Sequence, residues 1–322
     1  MEPKYRALFT ACMFFCTVLV QAQIAFGGRA FGLMENIDLS APPVERLPTV
    51  DTDALIAEDA ARLAQGKQGP YRFGFNHDVD IHMDAGTWTE LANGDRIWRL
   101  TLECPEALSI GVAFSRYVIP EGALVFLYNE AGEQLGAFMA APNGRTKYAI
   151  DQLSGERITI EYFEPASIAG LGELVIGTVT HAYRDVMKMQ RDLGDSGDCN
   201  INVICPQGDE WRDQIRSVAL VNTGGGLCTG TLLNNCSNDG TPYFLTAHHC
   251  LPDDQDVSNW IFRFNWDSPV CDPTEDQPLV QSISGSELLE SNSGTDMAFL
   301  QLSSVPPEDY LVFYSGWDIS TT

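Results

Sequence analysis

The chain has 322 residues, enough for about two domains and a sizeable core. Hydrophobic residues at 44% and charged residues at 20% exclude a disordered or collagen-like polypeptide. The 44 acids against 19 bases leave a net charge of −25, which repels phosphate backbones and anionic lipid heads, so nucleic acid is excluded as a partner.

Met1 to Ala22 reads as a secretory signal peptide. Lys4 and Arg6 form a basic start, Ala7 to Val20 is an uncharged apolar run, and Val20-Gln21-Ala22 supplies small residues around a cleavage point. The run is short for a membrane span, so a secreted protein is expected, extracellular or periplasmic and free of the membrane once the signal is cut. Export changes the meaning of the nine cysteines. Cys12 and Cys16 leave with the signal, and Cys104 stands apart. Cys199, Cys205, Cys228, Cys236, Cys250 and Cys271 crowd into 73 residues, which reads as a disulfide framework with its pairing open. A zinc site is disfavoured, because no CxxC pair is present and exported thiolates are not easily kept reduced.

Gln23 to about Val50 shows no periodicity, and Pro42, Pro43 and Pro48 favour an extended path. Asp51 to Gln65 is expected to be helical, capped by Asp51 or Asp53 and ended by Gly66, with Ile56, Ala60 and Leu63 on one face. Residues 23–70 thus form an extended and helical segment. From Tyr71 to Tyr183 the pattern turns to short strands. Trp98, Leu100 and Leu102 alternate with Arg99 and Thr101, and Ile158, Ile160 and Tyr162 alternate with Arg157, Thr159 and Glu161. Leu124–Tyr128 and Leu174–Val179 add apolar runs, and Gly and Asn turns separate them, so residues 71–185 are expected to form a β-sandwich. His77 and His82, beside Asp78, Asp80 and Asp84, could be weighed as a metal site. Histidines five apart share no helix or strand face, so a solvated polar loop is expected there.

Residues 186–198 form a polar joint carrying Lys188 and Arg191, the kind of segment that is nicked during maturation. Beyond it, Ser217–Val221, Leu227–Leu233, Tyr243–Ala247, Trp260–Phe264 and Met297–Leu302 read as strands of a second all-β unit.

Chemistry concentrates in two places. Tyr243-Phe-Leu-Thr-Ala-His-His-Cys250 runs an apolar strand into His249 directly before Cys250. A general base must be held in one orientation, and a strand end pinned by a disulfide does that. Cys228 lies 22 residues earlier, on a candidate neighbouring strand. Asp296 stands at the mouth of the strand Met297–Leu302. A carboxylate entering a core wants a partner, and an imidazole N–H is a good one.

Cys228-Thr-Gly-Thr-Leu-Leu, Leu245-Thr-Ala-His-His-Cys and Thr295-Asp-Met-Ala-Phe-Leu resemble the trypsin-like serine endopeptidases of chymotrypsin fold. The lysyl endopeptidase-like group is the nearer match, through Gly197-Asp-Cys-Asn-Ile-Asn-Val-Ile-Cys-Pro206, Tyr243-Phe-Leu-Thr-Ala-His-His-Cys250 and Ser315-Gly-Trp-Asp318. The upstream region agrees through Ile97-Trp-Arg-Leu100, Leu124-Val-Phe-Leu-Tyr-Asn129 and Ile160-Glu-Tyr-Phe-Glu-Pro165. The resemblance implies an all-β fold: a β-sandwich-like pro-domain, then the N-terminal half of a chymotrypsin-like double β-barrel over residues 199–322. It makes His249 the general base and Asp296 its orienting carboxylate, gives His248 no catalytic role, and pairs Cys228 with Cys250 and Cys205 with Cys271. Protein or peptide substrates cut after Lys or another basic residue, no metal or organic cofactor, and a monomer are what it leads one to expect.

The family's third catalytic group, a serine in a glycine-rich motif following the Asp, has no counterpart after Asp296. Gly194-Asp-Ser-Gly-Asp198 mimics that motif, but Ser196 lies in the polar joint, where a turn is the expected role. The 322-residue chain is therefore expected to be nearly inactive by itself, a fragment of a serine endopeptidase zymogen. The alternative is a non-catalytic secreted pseudo-protease that binds through its sandwich.

Overall fold

Alternation along the two regular segments carries straight into the architecture. In the structure, a computed structural model, residues 28–34, 37, 39–186, 200–271 and 281–318 are described. The signal stretch Met1–Ala22, the joint residues Lys188, Arg191 and Ser196, and Cys199 lie outside the described residues.

In chain order, β1 (Val44–Arg46) precedes helix α1 (Thr52–Ala64), and β2 (Tyr71–Arg72), β3 (Gly74–His82), β4 (Thr87–Glu90) and β5 (Arg96–Glu103) follow. Then come β6 (Ser109–Val118), β7 (Leu124–Asn129), β8 (Gln134–Phe138), β9 (Tyr148–Ser154), β10 (Arg157–Glu164) and β11 (Glu173–Ala182). One sheet runs β1-β5-β10-β7-β8 with β4 added on β5, and a second runs β3-β11-β6-β9. Their facing sides share one core. Trp98, Leu100, Leu102, Val125, Leu127, Ile158, Ile160 and Tyr162 come from the first sheet, and Ile110, Val112, Phe114, Ile150, Ile176 and Val179 from the second. This is a β-sandwich, as the period-two pattern requires.

Helix α1 starts where expected, with the Asp51 carboxylate accepting from the Ala54 N–H at 3.0 Å, and Gly66 follows it at φ +65°. Its apolar stripe does not reach a core, however: Ile56 and Leu63 are exposed.

The expected loop at His77 and His82 is corrected by the structure, because both residues belong to β3. His77 is buried and His82 is exposed beside Asp80, at 3.2 Å, so period-two alternation puts them on opposite faces. The polar side of β3, with Asn76, Asp78, Asp80 and His82, is exposed as expected, but it belongs to a strand and not to a loop. Near the start of β3, the Thr180 hydroxyl of β11 lies 2.8 Å from Asn76 Oδ1 and donates to Gly224 C=O of the C-terminal part at 2.6 Å.

The C-terminal part contains a short helix α2 (Arg212–Ile215), β12 (Val218–Asn222), β13 (Gly226–Leu233), β14 (Tyr243–Thr246), β15 (Ile261–Phe264), β16 (Gln281–Ser284), β17 (Ser286–Asn292) and β18 (Met297–Leu302). The sheet order is β16-β15-β12-β13-β14-β18-β17. β16 and β17 are separated only by Gly285, whose φ of +90° turns the corner, so the two ends of the sheet meet and it curls round a core of Leu232, Phe244, Trp260, Phe262, Phe264, Ile283 and Leu300. The fold is all-β, and this sheet is consistent with one half of a chymotrypsin-like fold. β2, expected in the sandwich, instead pairs with β13.

The two parts meet through directed polar contacts. Arg263 on β15 is buried and forks onto Asp151 of β9 at 2.5 and 2.6 Å, and Asn222 Nδ2 donates to the other Asp151 oxygen at 2.9 Å. Lys147 pairs with Asp256 at 2.7 Å, and Arg145 donates to Ser258 C=O at 2.6 Å. Burial alone would raise the Asp256 carboxyl, but Lys147 and the Ser258 hydroxyl and N–H hold it down at about 2.

Inside the sandwich, His77 and His181 lie with ring centroids 6.1 Å apart, and both His181 nitrogens are buried without a hydrogen-bond partner. Burial lowers both pKa values below 6.5, and the neighbouring His77 lowers His181 further against an opposing pull from Glu156. Neutral rings in the folded state and protonated rings in the unfolded state mean that stability is full above pH 6.5 and is lost as pH falls through 6.5 toward the depressed values. Urea titrations between pH 7.5 and 5 should show this loss, and His181→Phe should flatten it.

Candidate active site

Strands β14 and β18 are antiparallel neighbours, with Thr246 opposite Ala298. His249 follows Thr246 by three positions and Asp296 precedes Ala298 by two, so both emerge from the same end of the strand pair. β14 is anchored there by the Thr246 hydroxyl, which donates to Thr229 C=O at 2.8 Å. The chain then closes one 3₁₀ turn, His248–Cys250, whose last residue is disulfide-bonded to Cys228 of β13. The second disulfide among the described residues joins Cys205 to Cys271, while Cys104 is a buried free thiol and Cys236 an exposed one. Burial, with Glu103 beside it, pushes the Cys104 thiol up to about 12, which makes it inert as a nucleophile.

Asp296 grips His249 by two atoms. Oδ2 lies 2.7 Å from the ring Nδ1, and Oδ1 accepts the backbone N–H of His249 at 2.9 Å. Asp296 achieves this in the left-handed region, at φ +52°, where a short polar side chain is tolerated. The turn before it is tied by Asn292, whose side-chain oxygen accepts the Gly294 and Thr295 N–H groups at 2.8 and 3.1 Å. The His249 N–H and then its ring pull the Asp296 carboxyl below its ordinary 3.8, so it is ionised at neutral pH. A carboxylate only accepts, so Nδ1 carries the proton and Nε2 presents a lone pair. The side chain is one-third exposed, at 33%, so the ring is in part open to solvent. A base held in one tautomer and one orientation, ready to take a proton, is what this arrangement supplies chemically.

Metal chemistry does not fit here. Cys228, His249 and Cys250 bring ligand-type atoms within 4.8 Å of one another, but both sulfurs are consumed in a disulfide and no thiolate is left. His248 adjoins the site with its Nδ1 buried and unpartnered. Sequence reasoning placed His249, Asp296, Cys228 and Cys250, which the structure brings together; Cys205 and Cys271 pair elsewhere on the barrel. It missed the backbone bond from His249, the left-handed Asp296 and the strand β2 nearby. A run of three glycines, Gly224 to Gly226, was the available signal for the last.

The Ser315 segment supports the same end of the sheet. Ser315 bridges to Leu233 in parallel, its N–H donating to Leu232 C=O at 3.0 Å, and its hydroxyl reaches Ser217 Oγ at 2.8 Å.

The curled sheet, with a histidine–aspartate pair at a strand end, is consistent with one half of a chymotrypsin-like fold. Residues 193–322 match the family model for the lysyl endopeptidase C-terminal domain. Over 304 residues the chain is 23% identical to the lysyl endopeptidase of Pseudomonas aeruginosa, covering 88% of this chain and 63% of that protein. The chain is thus lysyl endopeptidase-like, and it spans less than two thirds of the length of that relative.

Cutting the Cys228–Cys250 bond by a double serine substitution opens a link across 22 positions, worth about 3 kcal/mol by loop-closure entropy. Urea denaturation should read that loss, and amide exchange at His249 should rise with it.

Proposed function

We propose that this chain is part of a secreted serine endopeptidase precursor in which His249 is the general base and Asp296 the carboxylate that orients it. The observation that carries the reading is the two-atom grip of Asp296 on His249, which fixes the turn through its N–H and the ring through Nδ1, as a general base requires. The nucleophile in this reading is a serine from sequence beyond these 322 residues, in keeping with the greater length of the relative. His249 Nε2 takes the proton of that hydroxyl as it attacks the peptide carbonyl, and returns it to the leaving amine. Water activated by the same nitrogen then hydrolyses the acyl-enzyme, and Asp296 stabilises the imidazolium in both steps. The sandwich before residue 186 is the pro-domain, and processing within 186–198 separates it. Cleavage after lysine is taken from the name of the relative. Disulfides suit an oxidising compartment outside the cytosol, and among the described residues no helix is long and apolar enough to cross a membrane.

The test is hydrolysis of lysine, arginine and glutamate ester substrates by the secreted product of the whole gene. Lysine esters should turn over fastest. His249→Ala should lower kcat by about 10⁶-fold and Asp296→Asn by about 10⁴-fold, with the fold retained by circular dichroism. Full activity in His249→Ala would overturn the assignment.

A further inference from the structure

The edge of β13 that faces away from β12 is used twice. β14 covers it from Thr231 to Leu233, and β2 covers it at Gly226 and Leu227, with Arg72 opposite Gly226 and Tyr71 opposite Leu227. Between those two strands, Cys228 is bonded to Cys250 and lies within 4.8 Å of a His249 ring nitrogen, sulfur to nitrogen. The turn that carries the candidate base therefore sits in the gap between β14 and β2. Gly226 C=O accepts the Thr223 N–H at 2.9 Å on the β12 side, so alternation turns the N–H and C=O of Leu227 toward β2.

The contact is shaped for this segment. Gly225 C=O accepts both the Phe73 and the Gly74 N–H, at 2.9 and 3.0 Å, and Gly224 C=O accepts the Thr180 hydroxyl at 2.6 Å. A Cβ on Gly226 would meet Pro70 Cβ at 2.8 Å, too close for any side chain, so the glycine turn is what lets Pro70 lie against β13. A charged clamp holds the strand from behind. Arg72 pairs with Glu58 at 2.8 Å and Asp59 at 3.2 Å on α1, and Asp59 also takes the Tyr183 hydroxyl at 2.8 Å and Arg184 at 2.7 Å.

An open sheet edge with unpaired N–H and C=O groups is a template for an extended peptide. Here that template runs past the general base, and part of the chain's own N-terminal region fills it. We propose that Tyr71–Arg72 is a built-in inhibitory strand. It occupies the β13 edge beside His249 where the main chain of an extended peptide substrate docks antiparallel, and it must leave before that edge accepts substrate. The proposal rests on the protease reading for its inhibitory sense. A ladder of two residues is weak by itself, so the clamp on α1 is what keeps the strand in place.

Two variants test it in the 322-residue chain. Tyr71→Pro removes the N–H that faces Leu227 C=O, and Arg72→Ala removes the clamp; neither touches His249 or Asp296. Amide exchange at Leu227 should rise about tenfold or more in both, with Leu232 and Phe244 still protected. A fluorescein-labelled peptide of sequence Gly69-Pro-Tyr-Arg-Phe-Gly74 should then bind both variants and not the parent. Unchanged protection of Leu227, or no peptide binding by the opened variants, overturns the proposal. In the whole gene product before processing, the two variants should hydrolyse lysine esters faster than the parent. Equal rates with an opened edge overturn the inhibitory role and leave the protease reading standing. An opened edge that captures peptide, with no hydrolysis by any form, supports the docking edge and overturns the protease reading.

Discussion

The geometry of the candidate site depends on the Asp296 carboxylate holding both the ring and the backbone of His249. One contact alone would leave freedom: a ring bond permits the turn to shift, and a backbone bond permits the ring to rotate. Together they leave the imidazole one position and one tautomer. The arrangement in turn depends on strand register, because Thr246 opposite Ala298 is what brings both residues out at the same end. A slip of one residue would invert the faces of β18, moving Ala298, Leu300 and Leu302 out of the core and Asp296 away from the turn. Core packing thereby enforces the site geometry. The ion pair itself is half-exposed and screened, so its contribution is position rather than stability.

The excess of acid has a structural consequence at the junction of the two parts. From Gly194 to Thr322 there are 19 acids and three bases, Arg212, Arg216 and Arg263, a net of −16. Such a surface repels a second acidic body, and several of the contacts that join the sandwich to it set a cation against an anion or a carbonyl. Lys147 meets Asp256, and Arg145 reaches the same loop at Ser258. Arg263 reverses the direction, carrying a barrel cation into the sandwich carboxylate Asp151. Burial makes that last pair exacting in geometry, since each charge has been taken from water and needs the other. Such pairs fix how the parts meet more than how strongly they bind.

Much of the fold was legible because its signals are local. β18 coincides with the expected Met297–Leu302, and β5 and β10 extend the alternating runs by one or two residues. The failures have one cause, which is tertiary contact overriding composition. β3 reads as a polar loop because its outward face is polar and exposed, yet its other face is held by the sandwich, with His77 buried and Val79 and Ile81 packed on the core. β16 and β17 carry serine and glutamate in place of an apolar rhythm, since they form the bent rim where the sheet closes at Gly285. Arg99 and Thr101, on the supposedly wet face of β5, are buried. The chain at Ser40 accepts from Arg99, and Thr101 meets Thr159 at 2.8 Å. At the site, His249, Asp296 and the disulfide were readable from motif and resemblance. The left-handed turn at Asp296 was not, because no residue pattern announces a backbone amide bonding to a distant carboxylate.

The placement of β2 bears on what the preceding region does for the C-terminal sheet. Arg72 and Gly226 are neighbours in space and far apart in sequence, and the chain between them builds all of the sandwich but β1. Contacts of that separation are slow to form, because loop closure must be met before they stabilise anything. In the folded chain the sandwich presents several partners to the C-terminal sheet: Asp151 for Arg263, Ala149 N–H for the Ser284 hydroxyl oxygen at 3.2 Å, and Thr180 for Gly224. The side of the sandwich that meets β12, β15 and β16 is also the side from which β2 reaches the β13 edge. Removing the sandwich would exchange Asp151 for water at a buried arginine while freeing the edge, so the separated C-terminal part would be more open and less constrained.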